Sequence, residues 1–584
     1  MNKKFFQLLT IGIFVSISSL FAAATPITTL PITINTPGNY IFASDLSCAT
    51  TAITITASHV SIDFDGHTLT INDAITGILA QNVSDIHLKN GTIQTAAPST
   101  DVNSIALRLL QDTDVTCEDL RFVNTRRCIY AGTRATTNGV TNLKVLNCVF
   151  DHPTTVGART ITTELSEGII IDNCSFERFG DPNSSGFDFC VFLTDTSDVS
   201  ITNSQFLNKN RSAPYAIYLN SRNRQCGNFA IENCLFDSCE GDILVIQWED
   251  NAPLTNTLIR NCQGYNVGDG TAIQFFGEGL LVENCIFEAA PTTFAPLLDL
   301  GYYATDGGPG SNPFFPAKHV IVKNSEFYNR DALPEFSLIS VWYADDVLFD
   351  TCLFYSNASG IFPPTPDVYP IAPTIQLGSL VYSRSTGELI PGLGVHANNV
   401  RILNSTISGN GQIGVASVTG QSIEPNTSLV MDNCVIDGAA TAGIYLVNTI
   451  SSTIKNCDIK NSTGNQNGLG NGIVLAGPLP PPYIQAGTCK YNEIRDCTVT
   501  HCTGTGILVA AGQEENFIVN NQTFSNGVNG FNNAGSKSNQ FYDNSSCNNG
   551  VKDCAGNIPN ALLSHPGSTH FRLHQNSCCD KCQG

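Results

Sequence analysis

Basic residues are scarce in this 584-residue chain. Lys and Arg together number 29 against 50 Asp and Glu, which gives a net charge of −21. Because so acidic a chain repels phosphate backbones, nucleic acid is disfavoured as a partner. Charged residues make up only 14% of the chain and hydrophobic residues 42%, and this composition predicts a large folded core.

Helical periodicity is missing as well. The 49 glycines and the many Asn, Thr and Ser residues favour turns over long helices, so helical bundles and coiled coils are poor candidates. After the first 24 residues no run of 18 uninterrupted apolar residues occurs. We therefore expect no transmembrane segment after that point.

The first 24 residues have the pattern of an export signal. Lys3 and Lys4 form a positive start, an apolar stretch follows from Leu8 to Phe21, and three alanines end at Ala24. This order is typical of a cleaved signal peptide, although an uncleaved membrane anchor would have a similar pattern. We expect a protein that is secreted or held at the cell surface.

One phrase repeats along the chain: alternating apolar residues, then Asn, then Cys or Ser, and Phe or Ile two residues later. It occurs as LKVLNCVF at 143–150, IIIDNCSF at 169–176 and FAIENCLF at 229–236, and FIVNNQTF at 517–524 is a looser copy anchored on Asn521. The anchors from Asn147 to Asn261 are 26, 30, 30 and 28 residues apart. A repeat of this length indicates a solenoid.

The content of each repeat selects the kind of solenoid. Short alternating strands rich in Ile, Val and Thr fill each unit, and a second phrase follows each anchor, such as AIYL at 216–219 and GIYL at 443–446. The shortest unit, 23 residues, is long enough for about three short strands and three turns, which close one coil. We predict an all-β fold, a single-stranded right-handed parallel β-helix, over residues 25–550.

The repeated Asn and Cys each have a structural explanation. Asn tolerates the left-handed backbone region of a sharp bend, and stacked Asn side chains can form a hydrogen-bonded ladder. Eight cysteines share the position after the anchor, where Ser stands in other coils, so we interpret them as small, buried and reduced. Disulfides between neighbouring coils are the alternative. The eight are Cys148, Cys174, Cys234, Cys262, Cys285, Cys434, Cys457 and Cys497.

These phrases, with VSIDFDGHTLT at 60–70, resemble the pectin-lyase-like superfamily of right-handed β-helix proteins over residues 27–550. That superfamily includes pectate lyases, polygalacturonases, alginate-modifying enzymes, phage tailspikes and adhesins. The resemblance implies the fold and leaves the function open.

Long insertions share one phase of the repeat, after the second phrase, for example at 220–228, 304–317 and 477–488. Loops at one phase of a stacked solenoid project from one side, so we expect a wall beside a groove whose floor is the strand of the second phrase. In that phrase the third residue points outward. The expected floor residues are Arg108, Tyr218, Gln274, Gln376 and Tyr445, with the only two tryptophans, Trp248 and Trp342, at or just after such strands.

Catalysis of glycan cleavage would need positioned carboxylates or a base assisted by a cation. Asp242 and Asp269 are 27 residues apart, about one coil, and Glu240 lies beside them. We predict these three as candidate catalytic residues at the groove edge, and Trp248, Tyr218, Gln274 and Arg211 as substrate-binding residues. Stacked carboxylates would also suit calcium, the one cofactor we consider. The segment loosely resembles a polygalacturonase turn, but the other polygalacturonase motifs are absent.

The end of the chain has a different composition. His570, His574, Cys578, Cys579 and Cys582 could bind zinc, or the cysteines could form disulfides that staple a cap. We assign residues 551–584 to a Cys- and His-containing tail or cap that would cover the open last coil.

The sequence leaves three hypotheses for function. The first is a non-enzymatic protein that binds polysaccharide or a cell surface through the groove. The second is a polysaccharide lyase, glycoside hydrolase or epimerase that acts on acidic glycans. The third is a structural surface or coat protein.

Overall fold

A computed structural model describes most of the chain after residue 23. The residues described are 24–99, 101, 103–133, 139–151, 159–178, 188–208, 214–247, 252–268, 270–291, 295–303, 314–330, 337–357, 373–382, 389–419, 424–464, 470–476, 487–558 and 577–578. The predicted signal peptide and nearly all of the predicted cap lie outside them, so both remain predictions. Within the described residues no helix is long and apolar enough to cross a membrane.

The described residues form a parallel β-helix, as predicted. Each coil contributes one strand to a 19-stranded sheet, which we call the floor sheet, and strands to a 38-stranded sheet. Strands of successive coils pair in parallel, as Ile217 with Ile243 and Ile243 with Ile273. Residues 25 to 40 positions apart in sequence are therefore neighbours along the solenoid axis, about 4.8 Å per coil.

The strands of the floor sheet are Ile32–Ile34, Ile53–Ile55, Thr76–Gln81, Ile105–Leu110, Arg127–Ala131, Arg159–Glu164, Asp188–Thr194, Pro214–Ser221, Gly241–Gln247, Ile273–Phe275, Leu298–Leu300, Ile339–Val341, Pro373–Leu377, Ile413–Val418, Ala442–Val447, Asn471–Leu475, Ile507–Val509, Asn529–Asn533 and Lys552–Gly556.

The larger sheet holds two runs of strands. Before the anchor turn lie Thr25–Ile27, Gly38–Phe42, Val60–Asp63, Thr141–Leu146, Glu167–Asp172, Ser197–Thr202, Cys226–Glu232, Leu254–Arg260, Gly277–Glu283, Ala317–Lys323, Ala344–Asp350, Ala397–Leu403, Asn426–Thr427, Val430–Asp432, Thr449–Ile450, Thr453–Lys455, Glu493–Arg495, Phe517–Val519 and Gln540–Tyr542.

After the turn lie Leu46–Cys48, Thr68–Ile71, Val149–Asp151, Ser175–Arg178, Gln205–Leu207, Leu235–Asp237, Gln263–Val267, Ile286–Ala289, Glu326–Asn329, Leu353–Ser356, Thr406–Ser408, Val435–Asp437, Asp458–Lys460, Thr498–Thr500, Gln522–Phe524, Ser545–Cys547 and Ser577–Cys578. Two long strands, Ser84–Thr95 and Thr113–Val123, pass through both runs. Two antiparallel pairs lie apart: Tyr302–Tyr303 with Phe314–Phe315, and Ser379–Tyr382 with Leu389–Val395.

The repeated Asn makes the turn between the two runs. Asn147, Asn173, Asn203 and Asn233 all have φ between 52° and 56°, in the left-handed region. Asn173 Nδ2 donates to Asn147 Oδ1 at 2.8 Å, and Asn261 Nδ2 donates to Asn233 Oδ1 at 3.1 Å. The Asn ladder is therefore confirmed, although Asp172 rather than Asn173 accepts the bond from Asn203. In the looser copy the turn residue is Asn520, with φ of 52°, and Asn521 is buried inside the coil.

The eight cysteines after the anchor are buried and free. The thiol of Cys174 donates to the carbonyl oxygen of Asp172, two residues earlier, at 3.4 Å. Ser204, at the same position one coil later, donates to the Thr202 carbonyl oxygen at 2.8 Å. Cys and Ser alternate at this position because both are small and both satisfy the same backbone oxygen.

Stacked phenylalanines fill the interior beside the cysteines. The ladder Phe122, Phe150, Phe176, Phe206 and Phe236 has ring centroids 4.6 to 5.1 Å apart. Each ring buried in this way contributes about 1.5–3 kcal/mol to folding. The interior is filled, so any ligand site must lie on the outside of the solenoid.

Candidate groove on the outer face of the floor sheet

One column of outward-facing residues runs the length of the floor sheet, and we call it the floor column. Each member lies between two buried residues, as Arg108 lies between Leu107 and Leu109. All five residues expected at this position belong to it. In order the column contains Arg108, Tyr130, Thr162, Phe192, Tyr218, Leu244, Gln274, Asp299, Ser340, Gln376, Ala416 and Tyr445.

Three arginines gather at one end of the floor column. The Arg127 and Arg108 guanidinium carbons lie 4.9 Å and 5.7 Å from the centre of the Tyr130 ring. Arg159 lies 4.4 Å from the Phe192 ring centre. Each arginine is partly buried, and the Nε of Arg108 is fully buried without a hydrogen-bond partner in the described part of the chain. The result is a patch of positive charge on aromatic rings, in a chain whose net charge is strongly negative.

One carboxylate accompanies these arginines. The Tyr130 hydroxyl donates to Glu164 Oε2 at 3.2 Å, and Glu164 is buried. Burial lowers the pKa of Arg127, an effect that the neighbouring Arg126 and Arg108 charges strengthen and Tyr130 and Glu164 oppose. Like charges that are held together and partly desolvated favour the binding of an anion.

An aromatic shelf continues from the arginine patch. The Phe192 and Tyr218 rings stack at 5.1 Å with an interplanar angle of 5°, and Phe189 stacks on Tyr215 at 5.4 Å. Burial, with the negative charge of Glu240, raises the pKa of Tyr215 to about 12. Flat rings at one-coil spacing suit the apolar faces of sugar rings.

Unsatisfied polar groups lie beside this shelf. Thr162, Thr194 and Asn220 are buried, and their side-chain polar atoms have no hydrogen-bond partner among the described residues. Thr194 and Asn220 are direct partners on adjacent strands. A buried polar atom without a partner costs about 1–3 kcal/mol, so these hydroxyl and amide groups would gain from a polar ligand.

The floor column becomes polar beyond Leu244. Gln274 Nε2 donates to Asp299 Oδ2 at 3.2 Å, while Asp299 Oδ1 has no partner in the described residues. Asp299 is 8% exposed, and burial raises the pKa of its carboxyl group to about 7 although the Gln274 bond opposes the rise. Ser340 and Gln376 continue the column, and the Ser340 and Ser337 hydroxyl oxygens lie 2.7 Å apart.

Asp242 does not lie at the groove edge, where we expected it. The residue is 0% exposed and occupies the interior position just before the inward-facing Ile243, where the neighbouring coils have Ala216 and Ala272. Burial raises the pKa of the Asp242 carboxyl group well above its ordinary value, and the charge of Asp237 adds to this, while the Cys239 thiol opposes it. The sequence signal was present, because that position of the second phrase holds a small residue in most coils.

The other predicted site residues divide into two groups. Tyr218 and Gln274 lie in the floor column, and Glu240 is a partly exposed residue just before the strand Gly241–Gln247. Asp269, Trp248 and Arg211 lie outside the described residues. Catalytic and binding roles for this set therefore remain predictions.

Sequence analysis did not select Arg127, Arg159, Phe192 or Asp299. The floor strands that hold Tyr130, Phe192 and Asp299 read CIYA, CVFL and LLDL, which are relaxed versions of the second phrase. A looser pattern would have found them. Arg127 and Arg159 stand three residues before the column and have no repeated signature.

The carboxylates of the groove are too far apart to act as a pair. Glu164 and Asp299 are separated by five coils, about 24 Å at the spacing of paired strands. Two-carboxylate hydrolysis needs a separation of roughly 5–9.5 Å. Within the described ranges no three His, Cys, Asp or Glu side chains gather as metal ligands, and the predicted calcium remains untested. The tail that could bind zinc lies almost wholly outside those ranges.

Comparison with solved structures finds several β-helix proteins at low similarity. The mannuronan C-5 epimerase AlgE6 A-module of Azotobacter vinelandii is 10% identical, with 75% of this chain and 91% of that chain covered and a TM-score of 0.28. The tailspike protein of E. coli bacteriophage HK620, solved in complex with a hexasaccharide, is 11% identical, with 80% and 67% covered and a TM-score of 0.34. The catalytic domain of a GH87 alpha-1,3-glucanase, in complex with nigerose, is 10% identical, with 74% and 63% covered and a TM-score of 0.26.

No curated protein sequence matches this chain. The sequence model of the family described as right handed beta helix region matches residues 76–258 and 374–546, more than half of the chain. The two matched segments contain the repeats and floor strands described above. The chain therefore belongs to the right-handed β-helix family, with the pectin-lyase-like fold that its repeats predicted.

Proposed function

We propose that this protein binds an anionic polysaccharide along the floor column, outside the cell or at its surface. The observation that carries the proposal is the patch of Arg108, Arg127 and Arg159 on the rings of Tyr130 and Phe192. Carboxylate or sulfate groups of a glycan would pair with the guanidinium groups, and its sugar rings would pack on the aromatic shelf.

Charge supports an anionic ligand. An arginine fork makes two parallel hydrogen bonds to one carboxylate, and such charge-assisted bonds are about twice as strong as neutral ones. The partial burial of the three arginines raises that gain, because the local dielectric is lower than in water. Elsewhere on the described surface the arginines pair with carboxylates, as Arg260 does with Glu232 and Arg401 with Asp346.

Shape supports a polymer. The floor column is a straight row of outward residues at one-coil spacing, so a long chain can lie along it and contact many rungs. The buried hydroxyl and amide groups of Thr162, Thr194 and Asn220 offer hydrogen bonds to sugar hydroxyls. A binding function needs no close pair of carboxylates, and the described groove has none.

The test is a binding panel with two matched variants. Polygalacturonate, alginate, hyaluronate and heparin, with uncharged dextran as reference, would be titrated calorimetrically at two salt concentrations. We expect one or more polyanions to bind, dextran not to bind, and affinity to fall with salt. Arg159→Gln should weaken binding by roughly 10-fold or more, whereas Arg401→Gln, on the larger sheet, should leave it unchanged.

Two outcomes would contradict the proposal. One is that no polyanion binds. The other is that Arg159→Gln and Arg401→Gln weaken binding equally, because the loss would then reflect net charge rather than the groove. Release of reducing ends or unsaturated uronates by the wild-type protein would support the enzymatic hypothesis in addition.

A further inference from the structure

Asp299 and Trp342 each hold a buried polar atom without a partner in the described residues: the Asp299 Oδ1 and the Trp342 Nε1. Asp299 faces outward between the buried Leu298 and Leu300. Trp342 follows the buried Val341 on the next strand, and its backbone N–H donates to the Leu300 carbonyl oxygen at 2.9 Å. The two residues are therefore diagonal neighbours across adjacent strands.

Nothing charged faces Asp299 from the described elements around it. Gln274 and Ser340 are its partners above and below in the floor column. Ser337 lies against Ser340, and Phe276 stands two residues after Gln274. Gly301, two residues after Asp299, presents no side chain, because a β-carbon there would lie 2.1 Å from the Tyr343 carbonyl oxygen. None of these groups titrates, so the ionisation state of Asp299 follows from its own burial.

We infer that Asp299 in its acid form and Trp342 form a second anion subsite of the groove, in which both donate hydrogen bonds to one carboxylate of a bound glycan. This inference rests on the proposed function. In the acid form the Asp299 hydroxyl group and the Trp342 indole N–H are both donors, whereas a carboxylate only accepts. The subsite thus recognises an anion without a positive charge.

The subsite makes binding depend on pH and on glycan length. Because burial raises the pKa of Asp299 to about 7, the group is mostly protonated at pH 6 and mostly ionised at pH 8. An ionised Asp299 repels the glycan carboxylate. Only a chain that reaches from Arg159 to Asp299, five coils or about 24 Å, senses this change.

The experiment compares two lengths of one uronic acid oligomer. A dodecamer and a trimer of galacturonic acid would be titrated at pH 6 and pH 8 by calorimetry in two buffers that differ in ionisation enthalpy. We expect the dodecamer to lose about tenfold in affinity from pH 6 to pH 8 and to take up a proton on binding at pH 8. The trimer should show neither effect.

Two variants identify the groups. Asp299→Asn keeps a donor without a titrating proton, so dodecamer affinity should become independent of pH. Trp342→Phe keeps a ring without the N–H, so it should weaken dodecamer binding several-fold at pH 6 and leave trimer binding unchanged. Thermal melts of both variants check that the fold is intact.

The outcomes separate this inference from the proposed function. If the dodecamer binds but its affinity does not change with pH, or changes equally in Asp299→Asn, the subsite is wrong and the groove stands. If neither oligomer binds and no polyanion of the wider panel binds, the groove itself is wrong. Proton uptake that disappears in Asp299→Asn supports the subsite.

Discussion

Asp242 fills a gap in the phenylalanine ladder that Gly264 leaves open. A β-carbon built on Gly264 would lie 2.6 Å from the Asp242 Oδ2 and 2.5 Å from Cδ1 of the Phe287 ring. Gly264 pairs with Phe236 on one side and Phe287 on the other, so it stands where neighbouring coils have a ring. A carboxyl group thus lies inside an otherwise apolar core.

The glycine at 264 should be required as long as Asp242 is present. Gly264→Ala places a methyl group against the carboxyl oxygen and the Phe287 ring, so we expect a loss of about 1–3 kcal/mol in the free energy of unfolding. In an Asp242→Ala background the loss should be smaller, because one of the two clashes is gone. Denaturant unfolding of the two single variants and the double variant measures this coupling, and strict additivity would contradict it.

Asp242 should make the protein less stable as pH rises. Its pKa is raised in the folded state and near 4 in the unfolded state, so above about pH 4 the unfolded chain gives up this proton first. The free energy of unfolding is unaffected by this group at lower pH and falls as pH rises toward the folded pKa. Asp242→Ala, which copies Ala216 and Ala272, should therefore be more stable than wild type at pH 7 by about 1–3 kcal/mol.

The measurement for this prediction is thermal melting of wild type and Asp242→Ala between pH 4 and pH 8. The difference in melting temperature should widen with pH. A constant difference would show that the effect comes from packing alone. Asp63→Ala, at an exposed edge where the carboxylate accepts a hydrogen bond from Asn90, serves as the control and should not gain stability with pH.

The Asn ladder contributes both conformation and a hydrogen bond, and two variants separate them. Asn173→Gly keeps the left-handed backbone and removes the bond to Asn147, which should cost about 0.5–1.5 kcal/mol. Asn173→Ala also forces a β-carbon into that region and should cost a further 1 kcal/mol or about that. Chemical denaturation ranks the variants, and an Ala variant as stable as the Gly variant would contradict the role of the backbone.

The cysteine position should accept serine and reject larger residues. Cys174→Ser should change the free energy of unfolding by less than about 1 kcal/mol, because Ser204 makes the same bond in the next coil. Cys174→Leu should cost about 1–3 kcal/mol by overpacking. If serine were as damaging as leucine, the thiol would have a role other than filling space and satisfying the carbonyl oxygen.

Much of this architecture was predictable because the β-helix repeats a local code. Asn147 and its equivalents mark one turn per coil, and the alternation around Tyr218 and Gln274 identifies which side chains face outward. Register across coils follows from counting residues between anchors. The error at Asn521, where the turn residue is Asn520, arose because two adjacent asparagines both fit the pattern.

The site was less predictable. Asp242 carries a charge, and a charge suggests a surface position, yet the second phrase places two consecutive residues inward at its start. Arg127 and Arg159 carry no repeated signature, and only the stacking of coils shows that they share one patch with Arg108. Asp299 stands out through its burial and its unpaired oxygen, neither of which is visible in a string of letters.

The sequence by itself determined the solenoid, its turns and the inward or outward direction of most strand residues, because each of these depends on residues close together in the chain. Only the tertiary structure decided which residues meet across coils, since contacts between residues two dozen or more positions apart depend on the length of every intervening loop. For that reason the fold follows from the repeat, whereas the arginine patch and the setting of Asp299 follow from the stack.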